Sequence, residues 1–180
     1  MATTTTMSGA AYDQLSLEEG RHLELLHGEV IEVSRPTPEH QMIVVVLNGS
    51  LLNYFRREPV GAALPDCEFA LGEDTRLCPD VAILLKERWV SVDRKKSPIP
   101  LPPDIAVEVL SPTERSTDSQ RKLLTYLKSG VREVWQVVSA GQRVLVYRDT
   151  NSFTILEVGQ SLTTPLLPGW ELPVRELFGV

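Results

Sequence analysis

Cysteine is scarce in this chain: Cys67 and Cys78 are the only two in 180 residues, and they form no CxxC pair. That excludes a disulfide-stapled scaffold and a thiolate zinc site built from these alone. Reduced cysteines fit a cytoplasmic protein. Histidine is also rare, and His22 and His27 are not at metal-ligand spacing with each other or with a cysteine. Basic charge is in deficit, with 18 Lys and Arg against 24 Asp and Glu, a net charge of −6. Such a chain repels polyanions on average, so contact with nucleic acid requires a local basic patch or a bound cation. The apolar run "MIVVVL" is too short to cross a bilayer, so no membrane partner is expected. The opening "MATTTTMSGAAYDQ" lacks the basic and apolar regions of a secretory signal. Residues 1–11 read as a flexible tail, ahead of one domain over residues 12–180. No GxGxxG, P-loop or GxSxG occurs, which argues against dinucleotide, ATP-loop and nucleophile-elbow chemistry.

What is present is an ordinary globular composition, 42 % hydrophobic and 23 % charged. Residues 16–26, "SLEEGRHLELL", suggest a short helix interrupted at Gly20, and "GEVIEVS" (28–34) alternates as a strand. Residues 37–58 read as a long helix, with Thr37 as N-cap, Pro38 at the first helical position and Glu39 at the positive dipole end. Strands are expected at 68–71, 80–85 and 104–110, and a second helix over 116–130. In that helix Ser116 or Thr117 is placed as cap, Leu123, Leu124 and Leu127 as apolar stripe, and Gly130 as stop. Three strands follow, "REVWQVV", "QRVLVYR" and "FTILEVG", and then a loop with a closing short helix. This order predicts an α/β or α+β fold, a mixed sheet with helices on its faces. The strand 104–110, the helix after it and the strand 132–138 have the form of a right-handed βαβ crossover.

The strand "DIAVEVL" poses a chemical question. Ile105, Val107 and Val109 form one apolar face, while Glu108 lies on the other face with Asp104, Ala106 and Leu110. A carboxylate in mid-strand is costly to bury. Asp80 opens the preceding strand, so in neighbouring strands the two acids project from one face. Like charges that close do not both ionise without a cation. A hard divalent ion such as Mg²⁺ resolves the repulsion and takes oxygen ligands. Lys122, in the helix that follows, is able to reach that face and to orient water or stabilise developing negative charge. Glu24 precedes the first strand and can supply another carboxylate.

The pattern resembles the PD-(D/E)xK nuclease superfamily. Pro79-Asp80 is the "PD", Glu108 is the acid, and the expected lysine position is occupied by Leu110. That is a departure from the standard pattern, for which Lys122 is the substitute. The segments "EEGRHLELLHGEVIEVSRPTPEHQ", "CPDVAILL", "PDIAVEVLSPTERSTDSQRKLLTYLKSGVREVWQVV" and "LLPGWELPVRELF" resemble the restriction-endonuclease-like branch of bacterial DNases, over residues 12–179. The resemblance implies a mixed central sheet flanked by helices and a Mg²⁺- or Mn²⁺-dependent endonuclease acting on DNA as a homodimer. It implies an active site of Glu24, Asp80, Glu108 and Lys122, with Asp80, Glu108 and Glu24 as metal ligands. His40 and Gln136 are lesser candidates.

Each residue also has a plain structural reading. Glu108 suits a buried ion pair, Asp80 the end of a turn, Lys122 a solvated helix face, and Glu24 the polar side of an amphipathic helix. His40 can simply face solvent. The basic run Asp93-Arg94-Lys95-Lys96 reads as a solvated loop within reach of phosphates. The alternative function is a catalytically silent nuclease-fold protein that serves as a binding or assembly module.

Overall fold

Thr37 opens the longest helix of the computed structural model, which describes residues 6–15, 22–110 and 116–179. In chain order the elements are α1 (Gly9–Tyr12), β1 (His22–Leu26), β2 (Glu29–Val33), α2 (Pro38–Arg57), β3 (Gly61–Pro65), β4 (Phe69–Gly72), β5 (Thr75–Leu77) and β6 (Val81–Leu85). They continue with α3 (Lys86–Trp89), β7 (Ile105–Leu110), α4 (Ser116–Lys128), β8 (Glu133–Val138), β9 (Arg143–Tyr147), β10 (Phe153–Leu156), β11 (Ser161–Thr163), β12 (Glu171–Pro173) and α5 (Val174–Phe178).

The cap of α2 is as the sequence predicts. Thr37 Oγ1 accepts from the His40 amide at 3.2 Å, Pro38 is at the first helical position, and Arg56 and Arg57 lie at the negative end. The β-branched run stays helical because Ile43 and Val44 join Leu47, Leu51 and Tyr54 in the buried core. Thr37→Ala is expected to cost about 1 kcal/mol. In a chain of this size that lowers the melting temperature by about 2–4 °C. A thermal melt identical to that of the parent chain counts against the cap.

Six strands form the main sheet, in the order β10-β9-β8-β7-β6-β3. Only β7 and β8 run parallel, and the chain between them passes through α4, as a parallel pair requires. A four-stranded antiparallel sheet, β2-β1-β5-β4, is separate, as is the ribbon β11-β12. Alternation along β7 divides the interior. Ile105, Val107 and Val109 pack with α2, Trp135, Val137 and the α5 residues Val174 and Leu177. The Trp135 and Trp170 rings stack there at 5.6 Å. On the opposite face Ala106 and Val134 meet Leu123 and Tyr126 of α4, Leu26 of β1 and Leu77 of β5. The Glu108 face of β7 is therefore closed over by α4 and the smaller sheet.

Several expectations are corrected. The helix expected over 16–26 is not a helix in its described part, residues 22–26, which form β1. His27 (φ 53°) and Gly28 (φ 78°) make the tight turn that joins β1 to β2, and the Leu-Glu-Leu-Leu helix preference yields to pairing with β2 and β5. Residues 16–21 lie outside the described residues. Within the stretch read as a flexible tail, α1 forms at Gly9–Tyr12 and the Met7 amide donates to Gly28 O at 2.8 Å, so this part is tied to the domain. Helix α4 already contains Ser116 and Thr117, so neither is the residue before it. Its buried face is Lys122, Leu123, Thr125 and Tyr126, while Leu124 and Leu127 are only partly covered. The short elements β3, β5, α3, β11 and β12 were not legible. Among the described residues no helix is long and apolar enough to cross a membrane.

Candidate active site

The segment from β5 to β6 leaves the smaller sheet and enters the larger one, and Cys78-Pro79-Asp80 is the crossing point. Pairing of β6 with β7 ends at Val81 opposite Val107, so the next position places Asp80 opposite Glu108. Asp80 takes over where the ladder stops: its Oδ2 accepts from the Val109 amide at 2.6 Å. Its Oδ1 meets His40 Nε2 at 2.9 Å, a ring positioned by the first turn of α2. Glu24 reaches the same place from β1, and its Oε1 accepts from the Cys78 amide at 2.8 Å. A strand, not a helix, thus presents Glu24.

From above, α4 supplies Lys122. Its Nζ donates to Glu108 Oε2 at 3.0 Å and lies 3.1 Å from Glu24 Oε2. Tyr126, one turn further along the helix, donates its hydroxyl to Glu108 Oε1 at 2.7 Å. Glu24, Lys122 and Glu108 are 2 %, 4 % and 8 % exposed, so these charges interact with little screening by water. Lys122 is therefore not the solvated helix lysine of the plain reading, and His40 does not simply face solvent. Glu24, Asp80, Glu108, Lys122 and His40 all line one cavity of about 530 Å³ between α2, α4 and the hairpin β1–β2. Gln136 does not join them. It is beside Glu108 in the β7–β8 register, but it opens into a different cavity with Ser119 and Tyr147.

Burial pushes the Glu108 carboxyl up to about 8; Lys122 opposes that rise, while the charges of Asp80 and Glu24 add to it, and the Tyr126 hydroxyl opposes it too. Tyr126 itself is raised well above the usual phenol range, by burial first and by Glu108 second. Burial also raises the Cys78 thiol, with Asp66, Glu24 and Glu108 adding to the effect. The neighbourhood is thus electronegative: three carboxylates face one ammonium.

The sequence pattern of the Uma2 family, described as "Putative restriction endonuclease", matches residues 10–175. The chain belongs to the Uma2 family. It is also similar to a crystal structure described as a putative nuclease belonging to DUF820 from Anabaena variabilis ATCC 29413, with a TM-score of 0.84 and 21 % identity. That similarity covers 96 % of this chain and 98 % of the other. No curated protein matches the sequence. The fold of this Uma2 chain is accordingly restriction-endonuclease-like: a mixed sheet with helices, with the strand pair β6–β7 carrying Asp80 and Glu108.

Two observations bear on whether these residues suit a metal. Glu24 Oε2 is buried and receives no well-directed hydrogen bond; Lys122 Nζ is within ion-pair distance but off line. The donors are all hard oxygens, as Mg²⁺ prefers. Among the described residues no three Asp, Glu, His or Cys side chains stand at closed metal-site spacing. The arrangement suits an open site of one or two carboxylates completed by water and phosphate, which is how Mg²⁺ is usually held.

Sequence reasoning missed Tyr126, although a signal existed: it follows Lys122 by four residues and so shares its helix face. It ranked His40 low because nothing local links residue 40 to residue 80.

Proposed function

We propose that this protein is a divalent-metal-dependent nuclease that hydrolyses phosphodiester bonds in DNA. The observation that carries the reading is the position of Lys122 against Glu108 and Glu24 in the cavity that also holds Asp80. The family it belongs to is described as "Putative restriction endonuclease", which supports the same chemistry. Asp80 and Glu108 would hold Mg²⁺ or Mn²⁺, with Glu24 assisting. When bound, such an ion polarises a phosphoryl oxygen and lowers the pKa of a water nucleophile.

The chain's own residues supply the remainder. The Lys122 ammonium orients the attacking water and stabilises negative charge developing on the phosphate. The Tyr126 hydroxyl holds one Glu108 oxygen in place. His40 fixes Asp80 in the same way from the other side. The reading includes a cytoplasmic homodimer. The outer edge of β10, with Phe153 and Ile155 exposed, offers a surface for two-fold pairing.

The direct test is incubation of the purified chain with DNA in Mg²⁺ or Mn²⁺. Cleavage is expected, EDTA is expected to stop it, and Asp80→Asn is expected to fall to the EDTA level. No cleavage of any nucleic acid with either ion sinks the reading. One observation favours a silent binding module instead: Lys122 is already ion-paired with two of the three carboxylates. In that case Mn²⁺ titration shows no uptake.

A further inference from the structure

A second cavity, of about 720 Å³, opens beside the first and shares Glu24, His40, Cys78 and Asp80 with it. It is lined in part by the loop after α3, which contains the densest basic run of an acidic chain, Arg94-Lys95-Lys96; Arg94 and Lys96 line the cavity and Lys95 lies between them in sequence. The loop is pinned in place. Trp89 and Val92 pack against the buried cluster of Phe69 and Ile99, and Ile99 bonds backbone to backbone with Glu68 and Ala70 at 2.9 Å each. The Arg94 guanidinium lies over the Trp89 ring, 4.4 Å from its centroid, and Arg94 is exposed. Among the described residues Arg94 and Lys95 have no ion-pair partner. Lys96 has Asp93 at 3.4 Å, but with 78 % and 53 % of those side chains exposed the pair is weak. The lining also carries Asp66 and Glu68.

We infer that this cavity binds an unpaired stretch of the nucleic-acid strand next to the scissile phosphate, with a base stacked on the Arg94–Trp89 platform and phosphates on Arg94, Lys95 and Lys96. The inference rests on the nuclease reading and names the form of its substrate. Three features lead to it. The chain as a whole repels nucleic acid, so affinity must come from a local cluster, and this cluster borders the same space as Asp80. A planar cation backed by an indole is a stacking surface that any base can use. The rest of the cavity's charged lining is acidic, Asp66 and Glu68 with Glu24 and Asp80, so the one basic cluster serves a single phosphate ribbon and nothing else there attracts the second ribbon of a duplex. Those acids instead suit the amino groups that unpaired bases expose.

The test is fluorescence anisotropy with a labelled single-stranded oligonucleotide and its duplex, in Ca²⁺ buffer over a range of salt. The wild-type chain is expected to prefer the single strand. Arg94→Ala/Lys95→Ala/Lys96→Ala is expected to weaken that binding at least tenfold. It should also lower the slope of log K against log salt by about 2, roughly 0.7 for each lost phosphate contact. Arg94→Lys keeps the charge but not the plane, so the slope should persist while quenching of a 2-aminopurine base in the strand is lost. An unchanged affinity and slope in the triple variant overturns the inference, as does a wild-type preference for duplex or an absence of binding. These readouts do not depend on turnover. Cleavage in Mg²⁺ with the loop variants binding normally defeats the inference alone, and the expected binding pattern without cleavage defeats the nuclease reading alone.

Discussion

Lys122→Met is expected to lose about 3–5 kcal/mol of stability, the cost of removing one member of a buried ion pair and stranding the other. Here two partners are stranded. Glu24 and Glu108 share the same ammonium, at 3.1 and 3.0 Å, and all three side chains are buried. Without it the opposing effect of the ammonium is gone and the Glu24 charge still raises the proton affinity of Glu108, so the folded variant binds a proton that the unfolded chain releases. Stability then falls as pH rises, because more protons are bound in the folded state than in the unfolded one. Urea melts at acidic and mildly alkaline pH therefore separate this from a simple packing defect: the loss should be largest at the higher pH and should shrink on acidification. A second readout concerns the cation. Mg²⁺ is expected to restore more stability to Lys122→Met than it adds to the parent chain, since ion and ammonium neutralise overlapping carboxylates. Cleavage stays lost, because nothing then orients the water. A variant as stable as the parent at mildly alkaline pH would falsify the account of Lys122 as the counter-ion of both acids.

The features legible in sequence were those with local causes. Thr37-Pro38-Glu39 announces the start of α2 because capping and dipole effects act within one turn. The alternation in β7 announces a two-faced strand because the pleat has a period of two. That pattern singled out Glu108, and the place of Asp80 at the start of the preceding strand, after Pro79, singled out Asp80. What stayed hidden depended on distant partners. β1 reads as helix until β2 and β5 pair with it, so Glu24 was noted but assigned to the wrong kind of element. β5, with three residues, has too little length for any period, yet it delivers Cys78-Pro79-Asp80 to the main sheet. Leu123, Leu124 and Leu127 suggested the buried stripe of α4; Leu123 is buried, but Lys122 and Tyr126 share its face in place of Leu124 and Leu127 because Glu108 lies below them. A polar pair can take a core position when it closes a hydrogen-bonded network, and hydrophobicity alone does not foresee that.

Glu108→Gln tests the centre of the network by changing charge with little change of shape. Glutamine fills the same volume, and its single carbonyl oxygen can accept from Tyr126 or from Lys122 but not from both where they stand; Lys122 keeps Glu24, so the fold is expected to survive with some loss of stability. What disappears is the negative charge next to Asp80. If Glu108 holds the ion that polarises the phosphoryl group, its removal takes away about 4 kcal/mol of transition-state stabilisation, about 10³-fold in kcat. Metal affinity measured by calorimetry should fall with it. The parent chain carries an independent signature in EDTA. Its Glu108 carboxyl stands near 8, against an ordinary carboxylate value in the unfolded chain, chiefly because it is buried. Between those two values the folded state holds a proton that the unfolded state has given up, so stability declines as pH rises through the window. Glu108→Gln has no proton to hold there and should lose that part of the decline. A divalent ion should flatten it in the parent chain as well, since binding to the carboxylate displaces the proton. Undiminished cleavage by Glu108→Gln removes the glutamate from the chemistry. An unchanged pH profile in EDTA removes it from the electrostatics, and with it the reason for a cation between β6, β7 and α4.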